Sequence, residues 1–397
     1  MTRKPAYNLT FLACYIAYAV QAVVNNFAPL LFVTFSTEFR IPLTTISLLI
    51  GMHFGVQMVA DLVIARFADR VGYRNSVVAA HLFAALGLAL LAFLPDLLPN
   101  PFVGILIADL LYAIGGGLIE AVTSPLFEAC PAENKEAAMS ILHSFYSWGQ
   151  LASVLLCSLF FVTAGISRWR LLSLLWALLP LANAVLFCAV PVVEPSALTE
   201  KRTPLPALLR RGAFWVMLLL MLGAGASELT VCQWASAFLE TCLGIDKQTG
   251  DLIGLCCFSL FMGLARVLYS AFSERLRLPV FMAACGGLCI ISYLMITCSL
   301  TPAVVLAGCA LCGFSVGIMW PGTYALAAKC LAGGTSMFAL LALAGDVGCT
   351  LGPSLAGALG GAFGGNLSLG ILLCIAFPVI FTLGSAVFIR EKTEKTE

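Results

Sequence analysis

Asp109 and Glu120 lie in a stretch, 102–127, where almost every other residue is apolar. At about 100° per residue, eleven positions along an α-helix return to within about 20° of the starting direction. The two carboxyls therefore share one stripe of one helix, with Tyr112 and Gly116 between them. A carboxyl in apolar surroundings can carry a proton or hold a small cation, and it is costly to leave bare. The segment GGGLIEAVTSP (115–125) sets three glycines ahead of Glu120 and Pro125 after it. Glycines let one face pack tightly against neighbouring helices while the acid line runs beside it.

Other polar residues repeat at helical spacing. His53, Gln57 and Asp61 step by four, and Tyr18, Gln21 and Asn25 follow with Asn26 adjacent. His143, Tyr146, Ser147 and Gln150 fit the i, i+3, i+4, i+7 pattern. These stripes either line a pathway or join helices. Glu228 and Asp346 are further acids at depth, and Arg266 is the one basic candidate. Asp346 either faces a cavity or pairs with a cation such as Arg266. In GAGASELTVCQW (223–234) the glycines predict a break or bend just before Glu228. Gln233, five residues on, points about 140° away if the helix is unbroken. Trp320 precedes Pro321, which loosens its helix.

Amides, hydroxyls, a histidine and Trp148, Trp234 and Trp320 suit a small neutral polyhydroxy ligand: amides bond hydroxyls, and flat rings pack on a sugar face. The same tryptophans also fit packing or interfacial roles, as Trp176 and Trp215 do. An anion carrier should show central cations, and only Arg266 offers one.

The elements holding these residues are set by composition. The 397-residue chain is 61% hydrophobic and 10% charged, with net charge +1, and its mean hydropathy is +1.01. Soluble domains are about 25% charged, and a near-zero net charge gives no reason to expect a nucleic-acid partner. Apolar runs of about 20 residues, enough to cross a bilayer, recur at 7–34, 42–65, 76–94, 102–128, 138–164, 170–193, 212–239, 250–272, 279–298, 302–328, 335–361 and 368–389. An all-α membrane protein with twelve spans follows, and the lipid bilayer is its surrounding. The first apolar stretch is too long for a cleavable signal.

With an internal N-terminus, only Arg40, Arg168, Arg170 and Lys247 of the 21 Lys and Arg fall outside, which places both termini in the cytoplasm. The sixteen cysteines are scattered in apolar segments and read as small hydrophobes. Cys309 and Cys312 have no partner pair, so no metal or cofactor is expected. His143 and Ser147 are helical neighbours without a third member, so an enzyme is not expected.

The polar stretch 194–211 divides a six-helix bundle, 1–193, from a second, 212–397. The halves echo each other. Phe67, Asp69 and Arg70 superpose on Phe272, Glu274 and Arg275 at a shift of 205, and Trp148-Gly149-Gln150 on Ala344-Gly345-Asp346 at a shift of 196. Two pseudo-symmetric bundles would set a site between them, near the membrane midplane.

ARFADRVGYRN (65–75) resembles the loop between the second and third helices of the major facilitator superfamily, G-x-x-x-D-R-x-G-R-[KR], with Ala65 at the first Gly and Tyr73 at one basic position. The resemblance implies that fold and gives Asp69, Arg70 and Arg74 a part in gating, with Asp61 and Arg266 as further gating candidates. The arginines also set topology.

GGGLIEAVTSP resembles the fourth helix of the fucose permease family, sugar–proton symporters with a G-L-x-E-x-x-x-N-P pattern. Glu120 falls on the proton-coupling glutamate and Ser124-Pro125 on Asn-Pro. HSFYSWG (143–149) is similar to the family's Q-x-F-N-S-F-G, WPGTY (320–324) to its Y-P-T-I-F, and ASELTVCQWASAF to a G-x-E segment that would give Glu228 a sugar contact. In NNFAPLLF (25–32), Pro29 stands where the family's prototype has a second acid.

The resemblance implies proton-coupled uptake of a hexose or deoxyhexose by alternating access, as a monomer in a bacterial plasma membrane. Glu120, Asp109 and Asp346 are then expected to couple protons. Gln21, Asn25, Asn26, Gln57, Glu120, His143, Tyr146, Gln150, Glu228, Gln233, Trp234 and Trp320 are expected to meet substrate. The alternatives are proton-coupled efflux or uptake of another small organic solute. A ligand sensor would normally carry an added signalling domain, for which REKTEKTE is short.

Overall fold

The computed structural model describes residues 7–41, 45, 48–131, 134–193, 205–244, 254–299, 301–331, 334–363 and 366–390. Among these residues every regular element is helical. Ten helices are long and apolar enough to cross a membrane, and Gly51–Ile64 and Cys256–Phe272 add two shorter apolar ones. The twelve-span fold expected from the hydropathy is present.

The helices are α1 (Asn8–Leu30), α2 (Leu48–Val71), α3 (Tyr73–Leu91), α4 (Pro101–Ala129), α5 (Lys135–Ala164), α6 (Trp169–Ala189), α7 (Gly212–Leu243), α8 (Cys256–Phe272), α9 (Leu278–Cys298), α10 (Pro302–Val316, then Met319–Cys330), α11 (Gly334–Ala362) and α12 (Leu367–Leu373, then Ala376–Arg390). A separate helix, Phe32–Phe39, follows the first span after Leu31. Burial runs opposite to that of a water-soluble helix. α6 exposes Leu171, Leu175, Leu178, Leu181 and Val185 while Ser173 and Asn183 are buried. Lipid solvates the leucines, and the polar groups find partners inside: Ser173 donates to the Leu88 carbonyl at 2.6 Å, and Asn183 to the Ala13 carbonyl at 3.0 Å.

Contacts divide the chain into two compact units: 1–133, 152–202 and 334–340, and 134–151, 203–333 and 341–397. The first part of α5 thus counts with the second unit.

In the first unit α4 is the central helix, packed against α1, α2 and α3. Gly115 sets how closely α3 and α4 approach. A Cβ there would stand 2.6 Å from the Ala80 carbonyl oxygen and the Ala84 amide nitrogen. Because backbone cannot yield as a side chain can, Gly115→Val should force the two helices apart. We expect loss of monodisperse protein on size exclusion, or a melting transition lowered by several degrees.

The predicted loop 66–74 is instead almost all helix. α2 runs to Val71 and α3 begins at Tyr73, so the turn is Gly72 alone, at φ 86°, a conformation glycine adopts without strain. Arg70 therefore sits in the last turn of α2.

In the second unit α7 is unbroken from Gly212 to Leu243, against the expected break before Glu228. Gly225 serves close approach instead: a Cβ there would lie 2.3 Å from the Gly345 carbonyl oxygen of α11. α10 does break, at Gly317–Ile318. Pro321 has no N–H for the carbonyl four residues earlier, and its ring crowds that same carbonyl, Gly317. α12 pauses at Cys374–Ile375, where Pro378 acts on Cys374 in the same way.

Candidate functional site

The polar stripes of α1, α2 and α4 meet inside the first unit. α1 and α4 run antiparallel, and their side chains pair in steps. Tyr18 Oη lies 2.6 Å from Ser124 Oγ. One turn on, Gln21 Nε2 donates to Glu120 Oε2 in a short hydrogen bond. At the third step Asn25 meets Gly116, where a Cβ would stand 3.6 Å from Asn25 Oδ1 and 3.8 Å from Gln57 Cδ. The missing side chain of Gly116 lets amides from two helices converge beside α4.

From Asn25 the line passes to α2. His53 Nε2 is 3.2 Å from Asn25 Oδ1, and His53 Nδ1 is 3.3 Å from Asp109 Oδ1. The His53 and Tyr112 rings lie 5.7 Å apart. Asp109, Tyr112, Gly116, Glu120 and Ser124 thus occupy one face of α4, as the eleven-residue phase requires.

Gln57 is fully buried, and neither atom of its amide has a hydrogen-bond partner among the described residues. An unmet buried polar group costs about 1–3 kcal/mol, so this amide is suited to a ligand or water that completes it. Asp61, also on α2, is fully buried. Asn26 behaves differently. Its Nδ2 donates to the Ala22 carbonyl at 2.8 Å, so that group is spent on its own helix.

The second unit holds a separate polar group built on Arg266. Its Nε donates to the Gly317 carbonyl at 2.7 Å, and its Nη1 donates to the His143 carbonyl and, at 2.8 Å, to Ser147 Oγ. Ser140 Oγ returns a bond to the Arg266 carbonyl at 2.8 Å. The guanidinium thus takes the Gly317 carbonyl that Pro321 leaves without its helical donor. The His143 ring packs 5.4 Å from Tyr324, and Gln150 Nε2 reaches Cys232 Sγ at 3.6 Å. Glu228 and Asp346 are both buried.

Several residues expected to meet substrate have other contacts. Trp234 Nε1 donates to the Pro353 carbonyl at 2.9 Å, and its ring covers Gly357. Trp320 packs on Gly345. With α7 unbroken, Gln233 diverges from Glu228 by about 140°, and it and Tyr146 are half-buried. Of the gating candidates, Arg70 is exposed, and the Asp69 side chain lies outside the described residues. Arg74 caps the end of α6: Nη1 donates to the Phe187 and Cys188 carbonyls at 2.6 and 2.9 Å, and Nη2 to Val190 at 2.9 Å.

Two contacts were not anticipated from sequence. The Tyr18–Ser124 pair was hidden because the periodicity of one helix does not give the register between α1 and α4. The bridging place of His53 was visible only as one member of a stripe.

Twelve apolar helices with polar side chains turned inward define a polytopic membrane protein. The family model of the Major Facilitator Superfamily matches residues 10–331 and 235–397, and the chain belongs to that superfamily. No curated protein matches it by sequence. Among solved structures it is similar to the E. coli fucose:proton symporter, at 15% identity and TM-score 0.77 over 96% of this chain and 98% of that one. It is also similar to a proton:xylose symporter bound to 6-bromo-6-deoxy-D-glucose, at 13% identity and TM-score 0.80 over 96% and 95%. A human organic anion transporter aligns at 15% identity and TM-score 0.74 over 96% and 99%. At these identities the likeness is one of fold.

Proposed function

We propose that the protein imports a small neutral sugar, a hexose or deoxyhexose, together with a proton, by alternating access. The observation that carries this reading is the convergence of Glu120, bonded to Gln21, with the unpartnered Gln57 amide and Asn25 around Gly116. A carboxyl that can hold a proton is placed within the same amide-lined group that can bond hydroxyls. Two of the solved structures of like fold are sugar–proton symporters.

In the cycle we propose, Glu120 takes a proton from outside and sugar binds the protonated carrier. The charged empty carrier reorients poorly, so proton and sugar each raise the other's affinity. Asp109 and Asp346 are the further proton sites of this reading, and Glu228 and His143 the second unit's sugar contacts. Asp61, Asp69, Arg70 and Arg266 belong to its gates. The carrier works as a monomer in a bacterial plasma membrane, with both termini in the cytoplasm. An organic-anion substrate is less well supported, because Nε and Nη1 of Arg266, the one buried cation among the described residues, are already committed to protein oxygens.

Radiolabelled uptake of a panel of hexoses into proteoliposomes tests the substrate class. We expect at least one hexose to accumulate with an inward proton gradient and to equilibrate without it. Uptake of none, with the protein folded and inserted, contradicts the sugar reading.

A further inference from the structure

We propose that His53 and Asp109 form a one-proton switch that sets which face of the Asn25 amide is offered to a ligand hydroxyl. In the structure both neighbours of the imidazole present oxygens: Asp109 Oδ1 at 3.3 Å from Nδ1 and Asn25 Oδ1 at 3.2 Å from Nε2. A neutral imidazole has one N–H and one lone pair, so it cannot donate to both.

With both oxygens so placed, hydrogen bonds on the two sides of the ring call for one extra proton on the pair. Either the ring is doubly protonated beside an ionised Asp109, or Asp109 is protonated and donates to Nδ1 while Nε2–H donates to Asn25. The two descriptions differ only by a proton shift along a single hydrogen bond, and both turn Asn25 Oδ1 toward His53 and its Nδ2 away.

When that proton leaves to water, one N–H remains. Kept on Nδ1, it continues to donate to the Asp109 carboxylate, and the lone pair on Nε2 then faces the Asn25 oxygen. Two acceptors in contact are unfavourable, and rotating the amide by about 180° about its last torsion, which is soft and roughly two-fold, sets Nδ2–H on Nε2. The oxygen of Asn25 now points away from His53. Proton uptake thus exchanges an acceptor for a donor on the side of the Asn25 amide turned away from His53.

Among the described residues, three helices supply the groups around the ring. α1 supplies Asn25. α4 supplies Asp109 and Tyr112, whose hydroxyl neighbours Asp109. Its own helix supplies Phe54, at 5.4 Å, and Asp61 two turns on. Glu120 lies past Gly116 and is bonded to Gln21. His53 acts through Asn25 and is a positioning residue. The switch also supplies a second protonatable carboxyl, on α4, in a chain that carries Pro29 where the fucose permease prototype has an acid.

The use of the switch in transport rests on the proton-coupled reading; the switch itself does not. The test is ¹⁵N NMR of the full-length chain in lipid nanodiscs, without sugar, with histidine and asparagine side chains labelled. Only three histidines need assignment, and Asn25→Gln identifies the Asn25 signals. As the pH is raised we expect the His53 Nε2 signal to change from N–H to unprotonated, with the Asn25 amide signals moving at the same midpoint. In His53→Gln the Asn25 signals should stay fixed. If that variant does not fold, the two midpoints in the wild-type chain decide alone. Asn25 signals that stay still through the His53 transition, or a His53 that never titrates, overturn the proposal. Failure of every hexose in the uptake panel would count against the sugar and leave this result unaffected.

Discussion

Replacing Glu120 by Gln should reduce sugar accumulation to equilibration while leaving sugar exchange largely intact. The amide has nearly the shape of the carboxyl, and its oxygen can still accept from Gln21 Nε2, the bond that fixes the native side chain. It cannot carry a proton. A membrane potential of 100 mV is worth about 2.3 kcal/mol per charge, enough for roughly fifty-fold accumulation by a one-proton carrier. In Glu120→Gln that ratio should fall to about one, with counterflow of labelled sugar changed by no more than a few-fold. Both are read from one preparation of proteoliposomes. A variant that still accumulates sugar would remove Glu120 from proton coupling, and one that loses exchange as well would make it primarily a sugar contact.

The second large effect is expected at Arg266, and on stability. Removing its side chain leaves the buried Gly317 carbonyl without its donor and Ser147 without a partner in that direction, and takes from the His143 carbonyl a second donor beyond its own helical bond. Gly317 has no fallback, because residue 321 is proline. Each buried group left unmet costs about 1–3 kcal/mol, and native proteins hold only about 5–15 kcal/mol in total. Arg266→Ala should lower the apparent melting temperature by roughly 5–10 °C. Arg266→Lys should recover only part of this, since an ammonium lacks the planar fork that reaches several oxygens at once. Melting at the wild-type temperature in Arg266→Ala would show that these bonds contribute little.

The stripes and spans were legible in the sequence because each depends on one helix alone. Hydropathy located the helices, and a period of 3.6 put Asp109, Tyr112, Gly116 and Glu120 on one face. Features depending on two helices were not legible. Whether the glycines of α7 would bend it or let it touch a neighbour depends on whether Gly345 lies opposite Gly225, which only the packing decides.

Proline gave a surer signal in α10, because the loss of an N–H at Pro321 acts on a known carbonyl four residues back. The pairing of Tyr18 with Ser124, Gln21 with Glu120, and Asn25 with Gly116 and His53 needs the register between α1 and α4, which single-helix periodicity does not contain. Trp234 was read by residue type as a sugar platform, and residue type alone could not show that its indole N–H donates to the Pro353 carbonyl.

The central claim is that sugar and proton move together in the same direction. The direct measurement is the pH of a weakly buffered medium around de-energised proteoliposomes when a hexose taken up in the panel is added. Symport predicts a prompt alkalinisation of the medium, in fixed proportion to the sugar taken up, that is absent in Glu120→Gln. Sugar entry with no change in external pH, or with acidification, would contradict it.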